Sequence, residues 1–294
     1  VSITANRPDC QSIFGLAREV AAALGEPLKT PALDYTETEV EKEGFNVTVE
    51  AQDLCPRYIA HYVYDVKLGQ SPAWMRRRLA LVGNNSISNI VDITNYIMRE
   101  LGQPLHAFDC DYLEGNAINV RRAAEGEKIV TLDEKEFTLN PNNLVICDGK
   151  KPVALAGIMG GLNSEVRDTT TEVMFEAAKF ARDNIRRSSR ALGQGSDASQ
   201  RYSKGVDEYT TEMAMKRALH LVEELGAGKI SKTHKNVNTG NSLEPTTFKT
   251  SVKKVNAVLG ITVPDEDILR ILTGLNFQPE INGDELTMHF PAYR

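Results

Sequence analysis

Four stretches of the chain carry residue types able to do chemistry. They are Leu101-Gly102-Gln103-Pro104-Leu105-His106-Ala107-Phe108-Asp109, then Ala156-Gly157-Ile158-Met159-Gly160-Gly161, then Glu176, and finally Gly193 through Asp207. His106 stands just past a predicted helix end. There an imidazole either faces a cleft, where it orients water or moves a proton, or caps the loop that holds it. Gly160 and Gly161 follow an apolar run, and glycines at such a place either let a ligand approach the backbone closely or make a tight turn. Glu176 closes a run of strand formers. Its carboxyl group either recognises a hydrogen-bond donor or pairs with Arg121 or Arg190 and holds the strand. The chain contains no GxxxxGK[ST] loop, no strand-linked GxGxxG, no HExxH and no GxSxG, which removes the usual signatures of nucleotide, zinc-protease and serine-hydrolase chemistry.

Composition narrows the classes further. Hydrophobic residues at 41% and charged residues at 25% over 294 positions describe an ordinary globular chain of two or three domains. No run approaches the roughly 18 apolar residues that span a bilayer, and no signal-peptide pattern opens the chain, so a cytoplasmic protein is expected. Cys10, Cys55, Cys110 and Cys147 are scattered, without a CxxC pair or a His at zinc-ligand spacing, and read as buried free thiols. A formal charge of −6 argues against coating nucleic acid by bulk electrostatics. Local basic groups, Arg76-Arg77-Arg78, Arg121-Arg122 and Arg186-Arg187 with Arg190, are either phosphate contacts or solvated faces. The chain starts at Val1 without an initiator Met and breaks off after Phe290-Pro291-Ala292-Tyr293-Arg294, which reads as a piece of something longer.

The elements that must position these residues follow from periodicity. Helices are predicted over 11–24, from the Ser71-Pro72 opening to Gly83, over 89–100, 183–192, 207–225, 251–259 and 265–272. Strands are predicted over 45–50, 57–67, 117–122, 144–147, 153–158 and 172–177, with a hairpin over 277–290 turning at Asn282-Gly283-Asp284. The loose alternation favours an α+β, multi-domain chain with mixed sheets and packed helices over a doubly wound sheet. Composition shifts divide it into 1–42, 43–235, a polar linker at 236–245, and a small helix-helix-hairpin domain at 246–294.

Taken together, the motifs NRPDC-x-S-x-x-GLAREVAAALG, N-x-VD-x-TNY-x-M-x-ELGQPLHAFD, ALAG-x-MGG-x-x-SEV and D-AS-x-RY-x-x-GVD resemble, in order, the β subunit of bacterial phenylalanine–tRNA ligase. The resemblance covers essentially the whole chain. It implies the end of an N-terminal domain over 1–42, an editing (B3/4) domain over 43–235 and a truncated B5 domain over 246–294. The implied activity is hydrolysis of tyrosine mischarged on tRNA(Phe), with no synthetic activity in the piece itself. The implied partners are tRNA(Phe) and the α subunit, in a tetramer of two α and two β chains. ATP and Mg²⁺ belong to the full enzyme; no metal or cofactor is expected in this piece. Within the motifs Glu176 is similar to the family's Glu that recognises the para-hydroxyl, Ser196 stands where Thr is usual, Ala198 matches the family's Ala beside the ring, and Gly160 matches the pocket-wall Gly. His106 is implied to orient the water, and backbone N–H groups near Gly160 and Gly161 to serve the oxyanion. Lys179, Arg182, Gly195 and Ser203-Lys204 depart from the usual pattern and are expected around the C-terminal arm of the pocket. Competing readings are a free-standing deacylase of the same fold and a non-catalytic scaffold for tRNA and the α subunit.

Overall fold

The computed structural model describes residues 2–4, 6–240 and 244–294. Ser12 opens α1 (Ile13–Leu24) by accepting the Gly15 N–H, and Gly25 ends it in the left-handed region at φ 69°. Strands β1 (Asn46–Val49) and β2 (Arg57–Tyr64) follow, then helices α2 (Ala73–Leu81) and α3 (Asn89–Leu101). Ser71 does not cap α2 as its sequence position suggests. Its hydroxyl donates instead to the buried Asp92 on α3 at 2.6 Å, and Pro72 stands at the cap without a side-chain bond.

Next come β3 (Leu105–Asp109), β4 (Ala117–Arg122), β5 (Lys128–Val130), β6 (Glu136–Thr138), β7 (Leu144–Cys147), β8 (Pro152–Leu155), β9 (Met159–Gly160) and β10 (Val173–Lys179). Helices α4 (Arg182–Leu192), α5 (Asp197–Lys204) and α6 (Glu208–Glu224) lead to β11 (Lys229–Asn238). The chain then adds β12 (Thr246–Ser251), α7 (Val252–Leu259), α8 (Asp265–Gly274), β13 (Glu280–Asn282) and β14 (Glu285–Phe290). Strand order is β11-β2-β10-β3 in an antiparallel sheet, β1-β4-β7-β8-β9 in a mixed one, and β12-β14-β13 in a small third one, with β5 and β6 paired as a separate hairpin. This is the expected α+β class.

The four-stranded sheet is apolar on both faces because both are covered. Ile59, Val63, Val173, Phe175 and Ala177 point to a layer formed by α2, α3 and α6, whereas Tyr58, Ala60, Tyr62, Met174 and Ala178 point to the five-stranded sheet. Alternation along β2 and β10 therefore decides which side chains meet the space between the sheets. A third cluster, built on Ile268, Phe277, Leu286 and Met288, serves the last strands and helices. It is fastened to α1 by Arg18 stacking 3.7 Å above the Tyr293 ring and by the Arg294–Glu19 ion pair.

Several expectations shift. The strand expected over 153–158 stops at Leu155, because Gly157 at φ 65° turns the chain back into β9; a side chain there would meet Phe180 and Tyr202 at 2.9 Å. Leu105 to Asp109, expected as a loop, is an edge strand. The β5–β6 hairpin, α5 and β12 were not foreseen, and β11 runs to Asn238, past the expected linker start at 236. Residues 241–243 of that linker lie outside the described residues. All four cysteines are free and buried. Among the described residues no helix is long and apolar enough to cross a membrane.

Candidate functional site

Antiparallel pairing of β10 with β3 sets Glu176 directly opposite His106. Side chains paired in this way share a face, with Cβ atoms about 5 Å apart. That face looks into a cavity of about 480 Å³ between the two sheets, lined among others by His106, Gly160, Glu176, Ser196, Ala198 and Tyr202. Five of the six residues singled out from the sequence thus meet around one space.

Glu176 is 6% exposed, and its Oε2 has no hydrogen-bond partner among the described residues. It does not pair with arginine: Arg121 is held by Glu127 at 2.7 Å. Burial pushes the Glu176 carboxyl up to about 8, and the neighbouring Tyr58 hydroxyl only partly opposes the rise. Tyr58 Oη stands beside this carboxyl group and is itself buried with no other partner among the described residues. Near neutral pH the carboxyl group is mostly protonated.

His106 is half-buried as a residue, yet its Nε2 is shut away from water and has no partner. Burial alone pulls the imidazole down to about 4, so it is neutral at physiological pH. Its ring sits edge-on to Phe108, centroids 4.5 Å apart. Gly160 makes room for it: a Cβ there would fall 2.5 Å from His106 Cε1 and 2.9 Å from Nε2. The glycine is required by a close approach of a side chain rather than by a turn.

Gly161 must be corrected. Its N–H donates to the Val153 carbonyl at 2.8 Å, and it does not line the cavity, so no proton is left for an oxyanion. Ser196 lines the cavity, but its hydroxyl is committed to the wall, donating to the Ile158 carbonyl at 2.6 Å and accepting the Ser199 N–H. Ser196 and Ser199 form a capping box at the start of α5. The first-turn amides of a helix have no intrahelical acceptor, and those of Asp197 and Ala198 belong to cavity-lining residues. This helix start was legible in Ser196-x-x-Ser199 but was not taken up. Gln103, fully buried, fixes the floor by donating to the carbonyls of Pro104 and Ala178, both at 2.9 Å, while Tyr202 donates to Ala178 at 2.9 Å.

Apart from Ser196, the departures from the family pattern do not line this cavity. Lys179, Arg182 and Lys204 border a second cavity of about 300 Å³ beside α1, and Lys179 is paired with Glu208 at 2.8 Å. Among the described residues two groups have donor atoms close enough to hold a cation, Glu37–His61–His234 and Asp9–Cys10–Glu19, and none of these residues lines the first cavity. Of the basic groups, Arg122 is tied to Asp53 and Arg78 to Tyr96, while Arg186, Arg187 and Arg190 lie exposed along α4.

An α+β unit with this cavity is what a family model described as the B3/4 domain matches, over residues 54–227, and a model of the tRNA synthetase B5 domain matches 248–294. The "Phenylalanine--tRNA ligase beta subunit" of Syntrophus aciditrophicus is 47% identical over 306 aligned residues, covering 100% of this chain and 37% of that protein. The protein of that name from Clostridium acetobutylicum is 43% identical, covering 99% and 37%. The chain belongs to the phenylalanine–tRNA ligase β-subunit family. It spans a little over a third, 37%, of the length of these relatives. An N-terminal fragment of the phenylalanyl-tRNA synthetase β subunit from Pyrococcus horikoshii aligns with it at TM-score 0.45 and 17% identity, covering 100% of this chain and 80% of that one.

Proposed function

We propose that the cavity between the two sheets is an editing site that hydrolyses tyrosine esterified to tRNA(Phe). The observation that carries this reading is the His106–Glu176 pair, set opposite each other at the cavity with buried polar atoms left unpartnered. A synthetic pocket for phenylalanine cannot strongly exclude an isostere that adds one hydroxyl, so a second site must do so. A site with buried polar groups reverses the preference, because phenylalanine would leave them unpaired.

In the reaction, water adds to the ester carbonyl carbon, the bond to the ribose oxygen breaks, and the proton leaves with that oxygen, releasing tyrosine and intact tRNA. Neutral His106 orients the water. The amides of Asp197 and Ala198 replace Gly161 as donors to the oxyanion. No protein nucleophile is needed, since the ester is activated and the neighbouring ribose hydroxyl assists.

The full protein would act in the cytoplasm with an α subunit and tRNA(Phe), and would use ATP and Mg²⁺ for synthesis. The test is deacylation of Tyr-tRNA(Phe) against Phe-tRNA(Phe) by the 294-residue chain, alongside ATP–pyrophosphate exchange. Faster release of tyrosine with no exchange is expected. Hydrolysis of neither ester would leave a scaffold that only binds tRNA and the α subunit.

A further inference from the structure

One buried hydroxyl beside Glu176 has no role in the reaction just described. Tyr58 lies on β2, where β10 sets Ala178 against Tyr58 and Glu176 against Ala60. Residues two apart on a strand share a face, so Tyr58 is the diagonal neighbour of Glu176 and within an aromatic side chain's reach. It is fully buried, and its Oη has no hydrogen-bond partner; the same is true of Glu176 Oε2. Two unpaired buried polar atoms on adjacent side chains are each costly, and one shared proton relieves both.

The other hydroxyl and thiol groups around Glu176 are already committed. Tyr202 donates to the Ala178 carbonyl at 2.9 Å, and the Cys55 thiol points to the Arg57 carbonyl at 3.5 Å. His106, across the β3 pairing, is neutral and faces the cavity. Tyr58 is the one neighbour among the described residues with an uncommitted O–H.

We infer that Tyr58 is a positioning and specificity-determining residue: it donates its hydroxyl proton to one oxygen of Glu176 and thereby turns the other toward the para position of a bound aromatic ring. The inference rests on the editing reading above. It makes the recognition element a hydroxyl–carboxyl pair rather than a lone carboxyl group, closed into a chain of three hydrogen-bonding groups only when the ligand is a phenol. A bond from Tyr58 favours the ionised carboxylate, while burial opposes ionisation and prevails. Removing the hydroxyl must move the Glu176 titration further upward.

The experiment compares wild type, Tyr58→Phe and Glu176→Gln. Infrared spectroscopy follows the Glu176 carboxyl band, identified by its loss in Glu176→Gln, through a pH titration. Tyr58→Phe is expected to raise the midpoint by about half to one pH unit and to move the band toward that of a carboxyl group without a hydrogen-bond partner. The ratio of Tyr-tRNA(Phe) to Phe-tRNA(Phe) hydrolysis at pH 8 should fall about three- to tenfold. A mere packing role would leave the midpoint where it is. An unmoved midpoint with an unmoved ratio overturns the inference, while hydrolysis of neither ester by wild type overturns the editing reading and leaves the infrared result to decide Tyr58. Should Tyr58→Phe fail to fold, the wild-type band decides: a hydrogen-bonded carboxyl group supports the role, and an unbonded one ends it.

Discussion

Replacing Glu176 by Gln should make the protein more stable while making its site worse. The buried carboxyl group titrates at about 8 in the folded chain against an ordinary value of 4.5. Between those values the folded state holds a proton that the unfolded state has released, so stability falls as pH rises through this window, and the penalty is complete above the upper value. Each pH unit carries about 1.4 kcal/mol per proton, which puts the penalty at pH 7 near 3 kcal/mol as an upper figure. Gln keeps the volume and the acceptor but never ionises. Glu176→Gln should therefore match wild type within about 0.5 kcal/mol near pH 4.5, exceed it by up to about 3 kcal/mol at pH 7 and by up to about 4 kcal/mol at pH 8. Trp74, the single tryptophan, packs edge-on against Tyr96 in the helical layer and reports unfolding of this unit by fluorescence in urea. Equal stability of the two proteins at pH 8, or an advantage for Gln that does not grow with pH, would show that Glu176 is solvated and would refute the reasoning.

Other outcomes follow from the same geometry. His106→Ala should depress hydrolysis of both esters together, by about a hundredfold or more, because a water-orienting group does not sense the para position; single-turnover rates on the two charged tRNAs check this. Gly160→Ala drives a methyl group into the His106 ring, and should cost about 1–3 kcal/mol of stability and at least tenfold in kcat/KM, read by urea titration and deacylation. Amides of α7 and β14 should exchange hydrogen faster than those of β2 and β10, since the last cluster is built on only four buried apolar residues; equal protection by mass spectrometry would count against a separate small module.

How much of this was legible in the sequence depended on whether a residue's role was local. The helix start at Asp207, the stops at Gly25 and Gly193, and the Asn282–Asp284 turn were visible because capping and turning use neighbours in the chain. Residues 105–109 read as loop because Pro104 and His106 interrupt an apolar pattern that only pairing with β10 completes. Gly160 and Gly161 look alike in sequence, yet one faces the His106 ring and the other is hydrogen-bonded within the sheet. Ser71 was read as a cap because the sequence cannot show that Asp92 waits on α3. The resemblance to the β-subunit family supplied His106, Glu176 and Ala198 as a group, and the cross-strand register explains why they meet. Tyr58 was invisible: in an alternating strand it is one more core aromatic, until the diagonal to Glu176 is known.

Around the cavity, polar satisfaction is unevenly distributed. Gln103 binds the Pro104 and Ala178 carbonyls, Thr211 donates to the Gln103 side-chain oxygen, and Ser196 and Ser199 cap each other. The unpaired buried atoms Glu176 Oε2 and His106 Nε2 belong to facing side chains of one sheet face. A frame whose own bonds are complete can hold such groups in an unfavourable state without relaxing to pair them. Phenylalanine entering this space would seal the unpaired atoms from water and add to their cost, whereas tyrosine brings one donor and one acceptor to the place where both are missing. Selectivity then arises less from attraction to tyrosine than from the cost of the buried atoms that only a phenol can pair, and so Glu176→Gln, a change that stabilises the fold, should also erase the preference.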